Sequence, residues 1–159
     1  MKEIEKELFY RPVKYGDDPI LFRLFVEGRG LILPPALNKS QKELILMQQF
    51  AAFERQMSIL YPEREKYLIL RDGSIIGEWQ TNRSEAELHL VSITLFPTWR
   101  GHGTGSALIR HLQQEAGSLS LPLTLSVACD NTPAISLYHK LGFKILEEKS
   151  PYIKMSWRA

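Results

Sequence analysis

The stretch Arg100-Gly101-His102-Gly103-Thr104-Gly105 decides how this chain folds. Before it, Leu88-His89-Leu90-Val91-Ser92-Ile93-Thr94-Leu95-Phe96 reads as a buried strand. After it, Ser106-Ala107-Leu108-Ile109-Arg110-His111-Leu112 reads as an amphipathic helix. Glycine lets the backbone take positive φ and turn N–H groups toward one point. A helix N-terminus directly behind adds unpaired N–H donors and the positive end of a dipole. The combination predicts a site for a phosphate or pyrophosphate. The rival reading is a glycine-rich turn without a ligand; glycines in the first turns of a helix are costly enough to favour the ligand.

Two phosphate-binding signatures fail on these residues. A dinucleotide fingerprint, G-x-G-x-x-G, would need a third glycine where Ser106 or Leu108 stands. A P-loop would need a lysine, and the loop has none. What remains is Arg-x-x-Gly-x-Gly, carried by Arg100, Gly103 and Gly105. It resembles the acetyl-coenzyme A motif of the GNAT superfamily of N-acetyltransferases, Gln/Arg-x-x-Gly-x-Gly/Ala.

Working outward, the 159 residues suffice for a single domain (1–159) with a sizeable core, and 44% hydrophobic and 24% charged residues are ordinary globular values. The net charge of +2 comes from well-mixed charges, which predicts no nucleic-acid stripe. The lone Cys129 excludes an internal disulfide framework, fits a reducing compartment and reads as a packing residue. The charged stretch Met1–Glu7 is neither a signal peptide nor a membrane span. These features predict a soluble, cytoplasmic protein. The four histidines show no metal-ligand spacing.

Leu8–Val13 reads as a first strand, and Asp18 as the cap of a helix with Pro19 at its start and Gly28 at its end. Arg29–Lys39 is a loop rich in aliphatic residues and proline, either packed over the core or forming a wall of the substrate pocket. Ser40-Gln41-Lys42-Glu43 reads as a capping box. The helix behind it is expected to pack Leu44, Met47, Ala51, Met57 and Leu60 into the core. Asp72-Gly73 marks a hairpin between Tyr67–Arg71 and Ser74–Gln80, and a turn at Asn82–Glu85 leads into Ala86–Phe96. Leu123–Val127 is a further strand, Thr132 caps a short helix stopped by Gly142, and two strands follow. The expected order is β-α-α-β-β-β-α-β-α-β-β, an α/β fold around one mixed sheet.

A second motif joins the first. Asn131, Ala134, Leu137, Tyr138, Gly142 and Phe143 match in register a pattern similar to the C-terminal GNAT motif, Asn-x-x-Ala-x-x-Leu-Tyr-x-x-x-Gly-Phe. The resemblance implies a mixed, mostly antiparallel central sheet flanked by helices. It also implies a V-shaped gap between Ala86–Phe96 and Leu123–Val127, with acetyl-CoA as co-substrate. The implied cofactor-binding residues are Ile93, Thr94 and Leu95 beside pantetheine, Arg100, Gly101, His102, Gly103, Thr104, Gly105 and Ser106 around the pyrophosphate, and Asn131 on the pantetheine arm. The implied reaction is direct attack of a primary amine on the thioester. The acceptor is a small molecule or a peptide, and homodimers are common in the superfamily.

Such a reaction needs a base for the ammonium, a donor for the oxyanion and an acid for the thiolate. Tyr138 matches the family tyrosine that faces the sulfur; its other reading is an amphipathic core residue. Glu87 stands where some members place a glutamate base, with His89 on the same strand face by period two. Glu87, His89 and an ordered water chain all stay open as the base. Rival functions are a non-catalytic module of the same fold, binding acyl-CoA or a partner protein, and a nucleotide-dependent oxidoreductase, which the failed glycine registers disfavour. The acceptor is open among small amines, antibiotics, amino acids and protein N-termini; Leu31-Ile32-Leu33 hints at an apolar part.

Overall fold

A computed structural model describes residues 1–159. Its strands are β1 (Lys2–Glu5), β2 (Leu8–Pro12), β3 (Glu65–Arg71), β4 (Ser74–Arg83), β5 (Leu88–Leu95), β6 (Leu123–Ala128), β7 (Lys144–Lys149) and β8 (Tyr152–Trp157). Its helices are α1 (Asp18–Gly28), α2 (Lys39–Leu60), α3 (Thr104–Ser118) and α4 (Thr132–Lys140). All strands share one sheet, ordered β1-β2-β3-β4-β5-β6-β8-β7, in which β5–β6 is the parallel pair. The mixed, mostly antiparallel sheet flanked by helices is the expected one. A strand, β1, precedes those read from the sequence; its charged residues lie exposed at the sheet edge, where burial leaves no hydrophobic pattern.

Neighbouring strand residues point to opposite faces, and the core divides accordingly. Ile69, Trp79, Leu88, Leu90, Leu123, Leu125 and Met155 pack with Leu108, Ile109 and Leu112 of α3. Leu68 and Phe96 pack instead with Leu21 and Leu24 of α1. The β3–β4 hairpin turns through Asp72 and Gly73, both at positive φ (51° and 79°), as the Asp-Gly pair demands.

Helix boundaries differ from expectation in local chemistry. Asp17, not Asp18, precedes α1, and its carboxylate binds Arg11 at 2.8 and 3.1 Å and the Lys14 amide at 2.8 Å rather than capping the helix. The Arg11 hydrogen bond holds the Asp17 carboxyl below its usual pKa. The capping box on α2 is formed by Asn38 and Gln41, each side chain accepting from the other's backbone N–H at 2.8 and 2.9 Å. Ser40 therefore falls inside the first turn. Asn131, not Thr132, caps α4.

The expected core role of α2 is overturned. No α2 residue is buried, and Leu44, Met47 and Leu60 are more than half exposed. Its apolar residues are spread around the helix, so only an aromatic edge can dock: Phe50 and Phe53 meet Phe22 and Phe25 of α1. The aliphatic loop likewise leaves Leu31 and Ile32 exposed, so these residues do not cover the core. Cys129 is also exposed, not packed. No helix is long and apolar enough to cross a membrane.

The end of α1 and strand β4 are fitted closely to β5. A Cβ on Gly28 would stand 2.2 Å from Thr94 Cγ2, and one on Gly77 would stand 2.4 Å from the Thr94 carbonyl oxygen. A threonine side chain can rotate, but a carbonyl in a sheet cannot. Gly77→Ala is therefore expected to cost about 1–3 kcal/mol through overpacking. The check is a lower urea midpoint with an unchanged denaturant slope.

Candidate functional site

The site begins where β5 and β6 part. They pair in parallel only at Leu88–Leu123, His89–Thr124 and Leu90–Leu125. Opposite β4, Gln80 pairs with Ser92 but Thr81 pairs with Leu90, so Val91 is an extra residue in β5. Such a bulge bends the strand that carries it. Beyond it, Ser92–Leu95 pairs only with β4 and Ser126–Ala128 only with β8. Backbone groups alternate in direction along a strand, and with Phe96 N–H given to Ile76 O those of Thr94 turn to β4, while those of Ile93 and Leu95 face the open wedge unspent.

At the mouth of the wedge, a 3-10 turn over Pro97–Trp99 leads into the glycine loop. Gly101 and Gly103 take φ of 77° and 78°, and a Cβ at either would meet nothing within 4 Å. Space therefore lies open in front of both. The amides from Gly101 to Ser106 donate to no acceptor within the protein, and α3 begins at Thr104 without a side-chain cap. Thr104 is buried with its hydroxyl unpartnered, whereas His102 is exposed. The Arg100 guanidinium turns away from the loop and donates to the Gly28 carbonyl at the C-terminus of α1. Arg100 thus holds the loop by its side chain.

On the other wall, Asn131 Oδ1 accepts from the Ala134 amide at 3.3 Å. Tyr138, on α4, is 8% exposed, with its ring 5.6 Å from that of Phe143. Its hydroxyl makes no hydrogen bond within the protein, yet it is not sealed from solvent. Burial pushes its pKa above that of free tyrosine, so the hydroxyl keeps its proton at neutral pH.

The face opposite α3 carries a polar chain. Thr124 Oγ1 donates to Glu87 Oε2 at 2.7 Å, and Lys154 Nζ lies 3.5 Å from the same oxygen. His89 Nδ1 is 2.8 Å from Thr124 Oγ1, and its Nε2 is 3.3 Å from the Tyr61 hydroxyl. A hydroxyl has one proton. With that proton given to Glu87, Thr124 accepts Nδ1–H from neutral His89, whose Nε2 lone pair then faces Tyr61. Burial, the largest influence, lowers the His89 pKa; Glu87 opposes the shift and Lys154 adds to it. Glu87 lies just before β5, and it and His89 converge on Thr124. His89 is buried, so this end of β5 does not face solvent there.

Thr124, Tyr61 and Lys154 were not legible as site residues. Thr124 carried one signal, a polar residue between Leu123 and Leu125 that must point away from the core.

This fold is that of N-acetyltransferases of known structure. The chain superposes on the PaiA N-acetyltransferase of Thermoplasma acidophilum, solved with coenzyme A, at a TM-score of 0.71 and 15% identity over 96% of this chain and 99% of that one. It superposes on the ribosomal-protein-S18-alanine N-acetyltransferase of Escherichia coli at a TM-score of 0.64 and 20% identity, over 95% and 93% of the two chains. The sequence profile of the acetyltransferase (GNAT) family matches residues 34–143, and the chain belongs to that family. It is also similar to the mycothiol acetyltransferase of Corynebacterium glutamicum strain R, 35% identical over 92 residues, 55% of this chain and 31% of that protein. The chain thus spans about a third of the length of such relatives.

The polar chain makes a titration prediction. His89, followed by NMR of its ring protons, should titrate below 6.5, and lower still in Glu87→Gln, which removes the opposing charge. Because folding depresses this pKa, His89 contributes stability in full above about pH 6.5, the unfolded value. That contribution should fall as pH drops through 6.5 and level off below the folded pKa. A folded pKa above 6.5 would contradict the assignment of neutral His89.

Proposed function

We propose that the chain moves an acetyl group from acetyl-CoA to a primary amine by direct attack of that amine on the thioester. The observation that carries this reading is the continuity of unspent groups. The free amides of Gly101–Ser106 lead into the open β5 edge, which faces a wedge whose other side bears an unpartnered tyrosine hydroxyl. Solved N-acetyltransferases of this fold hold coenzyme A, which supports the choice of ligand.

In this reading the pyrophosphate lies against the amides of the glycine loop, where the helix dipole and the missing side chains both favour an anion. Pantetheine runs along Ile93–Leu95, and the free amide nitrogen of Asn131 reaches it from the other wall. A β5 N–H near Leu95 stabilises the oxyanion. Tyr138 gives its proton to the departing thiolate, a role supported by the burial that keeps it protonated. Glu87 takes the amine's proton through water: Oε2 is held by Thr124 and Lys154, which leaves Oε1 without a protein partner. The exposed thiol of Cys129 fits work in a reducing, cytoplasmic compartment.

The decisive experiment is thioester consumption with a panel of amines, in wild type and variants. Gly103→Asp would fill the open space with a negative charge, and acetyl-CoA binding by calorimetry should vanish while the circular dichroism stays native. Undiminished affinity would remove the phosphate site. Tyr138→Phe keeps the ring packing and should lower the rate by about 10²–10⁴ with little change in acetyl-CoA affinity. Glu87→Gln should lower the rate most near neutral pH and recover in part at high pH, where free amine is plentiful. A pH-independent loss would make Glu87 structural. Acetyl-CoA binding without turnover of any amine would favour a non-catalytic binding module.

A further inference from the structure

Beside the wedge stands a cation without a carboxylate partner. Arg29 follows α1 and reaches the α1 face of β5, where Nη2 lies 3.5 Å from Ser92 Oγ, next to the bulge. Its guanidinium lies 4.9 Å from the Phe25 ring centroid and 4.3 Å from that of Phe53. Aromatic contacts of this kind engage the cation while leaving N–H donors free.

The neighbouring charges do not use those donors. Arg64 and Lys66 both bind Glu54, at 3.0 and 2.8 Å, and Lys154 binds Glu87. Arg29 has no carboxylate within ion-pair distance. Glu78, the other acid near it, is buried at 6% exposure, and burial raises its pKa toward the neutral form. Protein mass around Arg29 lowers its own pKa, yet the side chain stays open to solvent. A cation held against two aromatic rings, free of ion pairs and open to water, is a place for an anion brought from outside.

We infer that Arg29 recognises a carboxylate on the acceptor, so that the preferred substrates are amines bearing a carboxylate a few bonds from the nitrogen, as amino acids do. The inference rests on the acetyl-transfer reading and adds the acceptor's class to it. The thioester is placed beside Ile93–Leu95 and Arg29 beside Ser92, so amine and carboxylate must lie close together in the acceptor. The planar fork of arginine fits a carboxylate through two parallel N–H bonds, which a lysine cannot supply.

The test compares matched acceptors: an amino acid, its carboxamide, and the amine left by decarboxylation. Wild type should favour the amino acid by about 10- to 100-fold in kcat/KM, the worth of a charge-assisted pair. Arg29→Gln should erase that preference, leaving the carboxamide rate and acetyl-CoA affinity unchanged. Arg29→Lys, which keeps the charge without the fork, should fall between. An equal loss on all three acceptors, or a wild-type preference for the decarboxylated amine, would overturn the inference. A binding arm separates this failure from failure of acetyl transfer. With coenzyme A bound, an N-acetyl amino acid should bind wild type and lose at least about tenfold in Arg29→Gln, whether or not any amine turns over. Coenzyme A binding without Arg29-dependent binding of the N-acetyl amino acid would also overturn it.

Discussion

The site depends on a parallel strand pair that stops early. Parallel ladders are normally buried and continuous. Here β5 and β6 pair over Leu88–Leu90 and Leu123–Leu125, and the extra Val91 then bends β5. An opened ladder leaves backbone donors and acceptors that must find partners elsewhere. Such a defect is tolerable at a place that a ligand with amide groups of its own can fill. Each outer edge of the wedge keeps its other partner: β4 holds β5, and β8 holds β6. The wedge is therefore open without being loose.

That support explains the close fits nearby. Gly28 lets the end of α1 rest on Thr94, and Gly77 lets β4 approach the Thr94 carbonyl. The Arg100 side chain then ties the glycine loop to the carbonyl of Gly28. Loop, helix end and strand are coupled through adjoining contacts. The motif arginine thus fixes the shape of the loop, and the loop amides stay without acceptors in the protein.

Legibility followed the kind of constraint. Gly101, Gly103 and Gly142 sit at positive φ, which L side chains rarely adopt, and such positions announce themselves in a sequence. The β-strands of the core were legible by alternation, and the Asp72-Gly73 hairpin by turn chemistry. Two features of the helices were not. For α2, apolar content was visible but its distribution around the helix was mistaken for a single face; docking selected Phe50 and Phe53, with Leu44 and Met47 left outside. At α1 the residue in the cap position, Asp17, gives its carboxylate to Arg11 and the Lys14 amide, and at α2 Asn38 offers the reciprocal bonds that Ser40 was expected to make. Cap residues compete for the same donors, and sequence alone does not rank the competitors.

The polar chain follows from how the helices cover the sheet. Against α3, β6 turns Leu123, Leu125 and Val127; the intervening Thr124 and Ser126 point the other way. On that face β8 sets Ser156 opposite Thr124 and Lys154 opposite Ser126. Helix α1 contacts β4 and β5, and Ser126 beyond them is exposed. Ser126 can be polar for solubility alone, but Thr124 and His89 are buried, so their polar atoms have to be paired within the protein. Thr124, buried and so obliged to pair its hydroxyl, bridges Glu87 and His89, and so sets which imidazole nitrogen carries the proton. The two faces therefore differ in kind: the α3 side is an apolar wall that includes Tyr138, and the other side carries the paired polar groups of Glu87, Thr124 and His89.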